Sequence, residues 1–451
     1  MVSAELCAVV EGIHSLKSEI TSYITTHGGI RGAGIALYRE MIASDFVRKV
    51  SETFVTRILL IGISMITSVI VARILGPEGR GLYAVAGTIG ALGAQFGNLG
   101  LHASNTYWVA RDKSLLPALV GNTLFISFAF GGSVAFLVWA VFTIWPSLAP
   151  IQGMLLILAC IWIPFGLAYM LSQNLLLGIQ EVRAYNKIEV ILQFVGLISI
   201  GATIIFHIVT AETVFSAGLI ALVFGLVWAL WMLKPYLSRR PTLSRTLFKE
   251  HVSYGIKAYS AAFFAFMVLR IDLLMVKYML GAEQAGYYSI AVTMTDMLFM
   301  LPSVTGMILF PQLAVISHNR GKWQFTKRVV LWISLAMLII TVFSSLLAAP
   351  LVKVLFGKDF LPAVPAFVWL MPGIFILSIN IIFMNFFASI GMPLITVYSP
   401  GIAAIVNILL NMKLIPAAGI VGASISSTLS YGLMLLASTV YIRRMKRTIL
   451  T

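Results

Sequence analysis

The sequence predicts an all-α integral membrane protein of twelve transmembrane helices, arranged as two parallel six-helix repeats around a central cavity. Three observations carry this. The 451 residues are 60% hydrophobic and 10% charged, with a mean hydropathy of +0.98, whereas soluble domains carry roughly 25% charged residues. Lysines and arginines are dense in every second loop and sparse in the others. A short phrase, LGPEGRGLY at residues 75–83, returns as LGAEQAGYY at 280–288.

The spans follow from apolar length. No acidic or basic residue stands between Lys113 and Glu181, and as one helix that run would be roughly 100 Å long. A bilayer core of about 30 Å forces it to fold back, and WPSLAP at 145–150 supplies the turn. Apolar stretches bounded by charges or turn residues place the first set of spans at 52–75, 82–109, 117–143, 151–178, 186–208 and 213–234. The second set falls at 251–279, 286–312, 328–350, 362–390, 394–413 and 418–442. The resulting divisions are an N-terminal tail at 1–46, a first bundle at 47–236 and a second at 237–447.

Residues 1–46 lack an apolar core with a cleavage site and do not read as a signal peptide. HGGIRGAG lacks the strand before it and the Lys-Ser/Thr after it that a phosphate loop needs. The segment is expected to be a cytoplasmic tail, interfacial or an upstream extension, with Met41 as a natural alternative start.

Orientation follows from the basic residues. One set of alternating loops carries twenty of them, from Arg39 to Arg447; the opposite set carries six, Arg73, Arg80, Lys277, Lys353, Lys358 and Lys413. Both termini are therefore expected in the cytoplasm. Trp108, Trp145, Trp231 and Trp323 fall near the interfaces as an aromatic belt would. The net charge of +15 is dispersed through short loops rather than gathered on a soluble face, which argues for anionic lipid and against nucleic acid as its partner. Cys7 and Cys160 are the only cysteines, too few and too far apart for a disulfide framework or a thiolate metal site. No cofactor or metal is expected.

Aligned without gaps, 71–89 and 276–294 share eight of nineteen residues. Each copy lies between the first and second span of its set. Six is even, so both copies face the same side and the halves are parallel repeats about an axis along the membrane normal. The motif residues are Gly76, Glu78, Gly81 and Tyr83, with Gly281, Glu283, Gly286 and Tyr288 in the second copy. Gly76 and Gly281 would permit a left-handed cap, and Gly81 and Gly286 would let the next helix begin tightly. A weaker echo pairs Gly178 and Tyr185 with Gly391 and Tyr398. Gly93 and Gly97 are spaced for close helix approach, and Pro164, Pro302 and Pro372 interrupt helices.

The two sets of six spans, with LGPEGRGLYAVAG after the first helix, RIDLLMVKYMLGAEQAGYYSIA across the seventh and eighth, and LPSVTGMILFPQLA at 301–314, resemble the Wzx-type polysaccharide flippases. These belong to the multidrug/oligosaccharidyl-lipid/polysaccharide exporter superfamily, and the likeness runs over 45–447. It implies a MATE-like fold in a bacterial cytoplasmic (inner) membrane. It also implies passage of undecaprenyl-diphosphate-linked oligosaccharide from the cytoplasmic to the periplasmic leaflet, in company with a polysaccharide polymerase and chain-length proteins. Asn98 in FGNLGL departs from the acid that many relatives carry, which puts a first-half carboxylate role in doubt.

Ionisable groups in hydrocarbon are costly unless paired or hydrated, so each one in a span is a functional candidate. Arg57, Lys257, Arg270, Asp272 and Asp296 are such groups, and the repeat equivalents of the last three are Met65, Thr67 and Ala91. Arg270 and Asp296 both fall about 13–15 Å below the motif-side boundary. They are expected to pair, facing a water-filled cleft, with Asp272 on a nearby turn; a pair that merely fixes two helices is the competing reading. Asp272 or Asp296 would also suit a coupling ion, H+ or Na+. Arg57 and Lys257 either snorkel to water or attract the carrier diphosphate. Asn174 and Asn380, with Gln173 and Asn385, either meet sugar hydroxyls or bond helix to helix.

The rival classes are a multidrug or metabolite exporter of the same superfamily and a polytopic enzyme such as a glycosyltransferase, glycan polymerase or ligase. Such chemistry needs positioned acids or bases and commonly a large loop, yet no expected loop exceeds about 20 residues. The sequence carries no DxD, HExxH or Walker-type motif. An ATP-driven pump is excluded for the chain alone.

Overall fold

The computed structural model describes residues 45–316 and 318–446. The expected tail, with Cys7, HGGIRGAG and Met41, lies outside the described residues. A helix at Asp45–Gly97 bends at Gly76 into arms α1 (45–75) and α2 (77–97), followed by α3 (Leu101–Arg111). Next come α4 (Leu116–Phe125), a π turn at Ile126–Phe130 and α5 (Gly131–Ile144). The first half closes with α6 (Gly153–Gly178), α7 (Val182–Ile205) and α8 (Ala211–Leu233). The second half comprises α9 (Arg245–Leu280), α10 (Ala282–Val315), α11 (Asn319–Leu346), the short α12 (Ala348–Leu355) and α13 (Ala363–Ser389). A final helix, Ile395–Lys446, breaks at Gly419 into α14 (395–418) and α15 (420–446).

Among the described residues ten helices are long and apolar enough to cross a membrane. Two of them bend back at Gly76 and Gly419, which makes twelve spans. The second span is not continuous over 82–109 as expected. It stops at Gly97, because Leu99 (φ 48°) and Gly100 (φ 83°) are left-handed. Gly100 is the N-cap of the new helix, and Asn98, two residues before it, meets one of the free first-turn donors, its Oδ1 accepting from the His102 backbone N–H at 3.1 Å. Its amide is therefore committed to local structure, at a place where a capping side chain is needed.

In hydrocarbon the helices gain little from burying apolar surface against one another, so they associate through close packing at small residues. The second span shows this: Cβ atoms at Gly90, Gly93 and Gly97 would collide with Trp162, Ile163 and Leu167 of α6. The expectation of close approach at Gly93 and Gly97 is thus met. Gly391 has φ 100°, but in the first half the left-handed residue is Gln180 (φ 68°), while a Cβ at Gly178 would run into Val109. Tyr185 is buried and Tyr398 exposed. The second echo therefore has no common geometry.

The repeated phrase does. Gly76 (φ 64°, ψ −177°) and Gly281 (φ 95°, ψ 178°) adopt one backbone conformation that L side chains resist. A Cβ at Gly81 would strike the carbonyl oxygen of Ala282, and one at Gly286 would strike that of Pro77. Each copy's second glycine therefore admits the first turn of the other copy's helix. This corrects the expectation that Gly81 and Gly286 serve a tight start within their own helices: they are the self-complementary contact of a pseudo-two-fold axis. Glu78 and Glu283 point outward and are exposed.

At the opposite end Gly100 and Gly255 approach in the same reciprocal way. Tyr259 donates there to the Phe96 carbonyl at 2.9 Å, and Phe96 packs edge-on against Phe263.

Candidate functional site

The charged cluster lies within the second half, between α9, α10 and α15. Arg270 and Asp272 are two residues apart on α9, so their side chains leave the helix about 200° apart and meet different surroundings. Arg270 reaches Asp296 of α10, Nη2 to Oδ2 at 2.8 Å, and the two side chains keep 30% and 43% of their exposure. The expected meeting occurs, and its outer side is open.

Asp272 is 2% exposed. Its Oδ2 accepts from the Tyr288 hydroxyl at 2.5 Å and the Ser427 hydroxyl at 2.9 Å, and its Oδ1 accepts from the Leu273 N–H at 2.8 Å. A buried carboxylate is tolerable only when its lone pairs are met in this way. Ser427 on α15 is approached by the Asn407 amide of α14 at 3.4 Å, and Asn407 Oδ1 accepts from Asn411 at 2.9 Å. Asn411 Oδ1, at the end of the chain of contacts, is buried with no hydrogen-bond partner among the described residues. A small pocket lined by Asp272, Tyr288, Thr295, Asp296, Phe299 and Tyr431 brings Asp296 of the open ion pair and the buried Asp272 onto one cavity.

Sequence reasoning found Arg270, Asp272, Asp296 and Tyr288 and missed Ser427, Tyr431, Asn407 and Asn411. The signals were present: ASISSTLSYG at 423–432 and two asparagines four apart in NILLN at 407–411 stand inside apolar spans. The repeat equivalent Thr67 bonds only its own helix, at the Ile63 carbonyl.

The other expected site residues are placed elsewhere. Arg57 neither snorkels nor stands free: it binds Glu189 of α7 at 2.9 Å and the Tyr185 hydroxyl at 2.9 Å, over whose ring it also lies. Glu189, near the start of its span, was not singled out from sequence. Lys257 is exposed on α9. Asn174 donates to the Met170 carbonyl of its own helix, while Thr106 of α3 bonds its backbone carbonyl at 2.9 Å. Asn380 accepts from Ser438 of α15 at 2.8 Å and is 1% exposed. Asn380 thus bonds helix to helix, whereas the Asn174 amide bonds only its own helix and its Oδ1 is buried with no partner among the described residues. Tyr83, the counterpart of Tyr288, packs edge-on against Phe215 and lies beneath Arg80. No cluster of three or more His, Cys, Asp or Glu suited to a metal occurs among the described residues.

Comparison with known proteins gives these features a context. The family model described as "Polysaccharide biosynthesis protein" matches residues 70–365. An uncharacterized membrane protein of Methanocaldococcus jannaschii is 25% identical over 217 residues, 47% of this chain and 43% of that protein; the match thus spans under half of that relative's length. An inward-facing multidrug resistance MATE transporter superposes with a TM-score of 0.61 at 13% identity, over 87% of this chain and 95% of that one. The lipid II flippase MurJ, inward closed, gives 0.66 at 13% identity over 88% and 87%. The Vibrio cholerae MATE transporter VcmN gives 0.61 at 12% identity over 89% and 98%. At such identities the likeness is one of fold. The chain belongs to the polysaccharide biosynthesis protein family and is a multi-pass membrane protein of the MATE-like fold.

Proposed function

We propose that this protein carries undecaprenyl-diphosphate-linked oligosaccharide from the cytoplasmic to the periplasmic leaflet of a bacterial inner membrane by alternating access. The observation that carries the reading is the reciprocal packing of Gly81 on Ala282 and Gly286 on Pro77. The two bundles meet at that end on a common axis, through close backbone approach and an apolar cluster that includes Val85 and Ile89 of the first half and Val276 and Ala285 of the second, so opening there separates two like faces. The family's role in polysaccharide synthesis and the fold shared with a lipid II flippase support a glycan on a lipid carrier as cargo.

In this reading the saccharide and diphosphate cross in water along the seam while the prenyl tail remains in lipid. Arg270, paired and half-open, offers the diphosphate a charge. The basic-residue distribution supports cytoplasmic termini, so the motif end is the periplasmic one. A polymerase and chain-length proteins would take the product onward.

The buried set around Asp272 suits one monovalent cation. Its nearest donors are oxygen, as hard cations prefer: the Asp272 carboxylate and the Tyr288 and Ser427 hydroxyls that bond it. One negative charge balances one Na+, and Asp272 can equally hold H+. Binding there would draw α9, α10 and α15 together and so favour one arrangement of the second half.

The test is deletion of the gene followed by analysis of the lipid-linked glycans in each leaflet. A flippase leaves the complete oligosaccharide confined to the inner leaflet. A polymerase, ligase or transferase leaves a truncated or altered saccharide, and that result would replace the proposal.

A further inference from the structure

Arg80 is a buried charge that the proposed cycle has not used. It stands in the first turns of α2 at 6% exposure, and no carboxylate among the described residues pairs with it. Its partners are hydroxyls. Nη2 donates to Ser68 Oγ and Thr293 Oγ1, each at 3.1 Å, and Nε donates to Ser289 Oγ at 3.3 Å. Its Cζ lies 5.5 Å from the centre of the Tyr83 ring. Ser68 and Tyr83 belong to its own half, whereas Ser289 and Thr293 belong to α10 of the other. The repeat equivalent is Ala285, so the contact has no symmetric twin. Nearby, Arg73 of α1 donates to the Leu355 carbonyl at 2.9 Å and the Val354 carbonyl at 2.6 Å, capping the C-terminus of α12 across the same seam.

We propose that Arg80 is the gating residue of the motif end, a latch between the halves that is releasable because its partners are hydroxyls. Separating a buried ion pair strands two charges. Here the second half strands none. The Ser289 hydroxyl donates to the Gly286 carbonyl at 2.8 Å and the Thr293 hydroxyl to the Ser289 carbonyl at 2.8 Å. Both therefore keep a partner on their own helix when Arg80 leaves, and only lone pairs are vacated. On the other side the guanidinium keeps Ser68 and the Tyr83 face and gains water. The hydrogen bonds to a charged donor hold the end shut, and the asymmetry of what is lost lets it open. The use of such a latch rests on the alternating-access reading; its existence is tested independently of any cargo.

Glu78 and Glu283 are exposed at equivalent places in the two motif copies, so spin labels on Glu78→Cys and Glu283→Cys report the gap between the halves. The background is Cys7→Ser with Cys160→Ala, in lipid nanodiscs without substrate. The parent should give mainly the short distance. Arg80→Met should raise the ratio of long to short distances at least ~10-fold, and Arg80→Lys should fall between. Ser289→Asp supplies the missing carboxylate, so it should abolish the long population and slow glycan transfer by ~10-fold or more. Parental distances in Arg80→Met, or parental distances and transfer in Ser289→Asp, would overturn the latch. If Arg80→Met does not reach the membrane, Ser289→Asp decides, since it retains Arg80. An opened gap in Arg80→Met together with an altered saccharide in the deletion strain would leave the latch standing and remove the flippase reading.

Discussion

Each half holds an arginine bound to an acid within the membrane, and the two pairs are built differently. Arg57 and Glu189 retain 14% and 22% of their side-chain exposure, and the guanidinium is further held by the Tyr185 hydroxyl and ring. Arg270 and Asp296 retain 30% and 43% and share one contact, and Asp296 lines the pocket that Asp272 also lines. The first pair is enclosed by its neighbours and links α1 to α7. The second leaves donor and acceptor capacity turned toward an opening. A charge in a span is thus a functional candidate only after its partners have been counted.

Four experiments press on that contrast. Asp272→Asn keeps the shape of the buried network and removes its charge. It should reduce glycan transfer on the order of 100-fold while expression is retained, and any dependence of transfer on ion gradient or membrane potential should vanish. Transfer into inverted vesicles with and without an imposed gradient measures both. Unchanged values would remove Asp272 from the coupling role.

Next in size is exchange of the open pair. Arg270→Asp or Asp296→Arg alone should cost ~10- to 100-fold in transfer, and the double exchange should not recover more than about a tenth of the parental rate, because a site needs its charges in place. Full recovery would reduce this pair to a helix fastener. The closed pair should behave in the opposite way. Arg57→Met or Glu189→Leu alone should lower stability by about 3 kcal/mol through the stranded partner, seen as a reduced Tm in detergent. The exchange Arg57→Glu with Glu189→Arg should restore both Tm and transfer to within ~3-fold of the parent. The smallest effect belongs to Ser438→Ala, which removes the bond to Asn380; interhelical hydrogen bonds in membranes average about 0.6 kcal/mol, and transfer should not change.

Helix positions were legible because the bilayer imposes a length and a polarity that any span must meet. The Arg270 and Asp296 meeting was legible because their helices are consecutive and joined by one turn, so depth alone brings them level. The partners of Asp272 were not. Ser427 and Asn407 lie 155 and 135 positions later, on helices whose neighbours are set by tertiary packing, and serines and asparagines inside spans ordinarily bond their own backbone, as Asn174 and Asn385 do. Gly81 and Gly286 were recognised as constrained positions, but a single sequence does not say whose backbone fills the space a glycine leaves. Asn98 was read against the acid its relatives carry, and its bond to the first turn of the new helix became visible only with the break at Leu99 and Gly100.

The link between the halves does more than join them. Around residues 242–244 it lies on α4: the Thr242 N–H reaches the Pro117 carbonyl at 3.2 Å, and the Asn122 side chain exchanges two bonds of 3.0 Å with the Ser244 backbone. Gly121 leaves no room for a Cβ beneath Thr242. Stitched to the first bundle this way, the start of α9 acts as the spine of a book, and on that side of the bilayer the covers can swing apart only along the far edge.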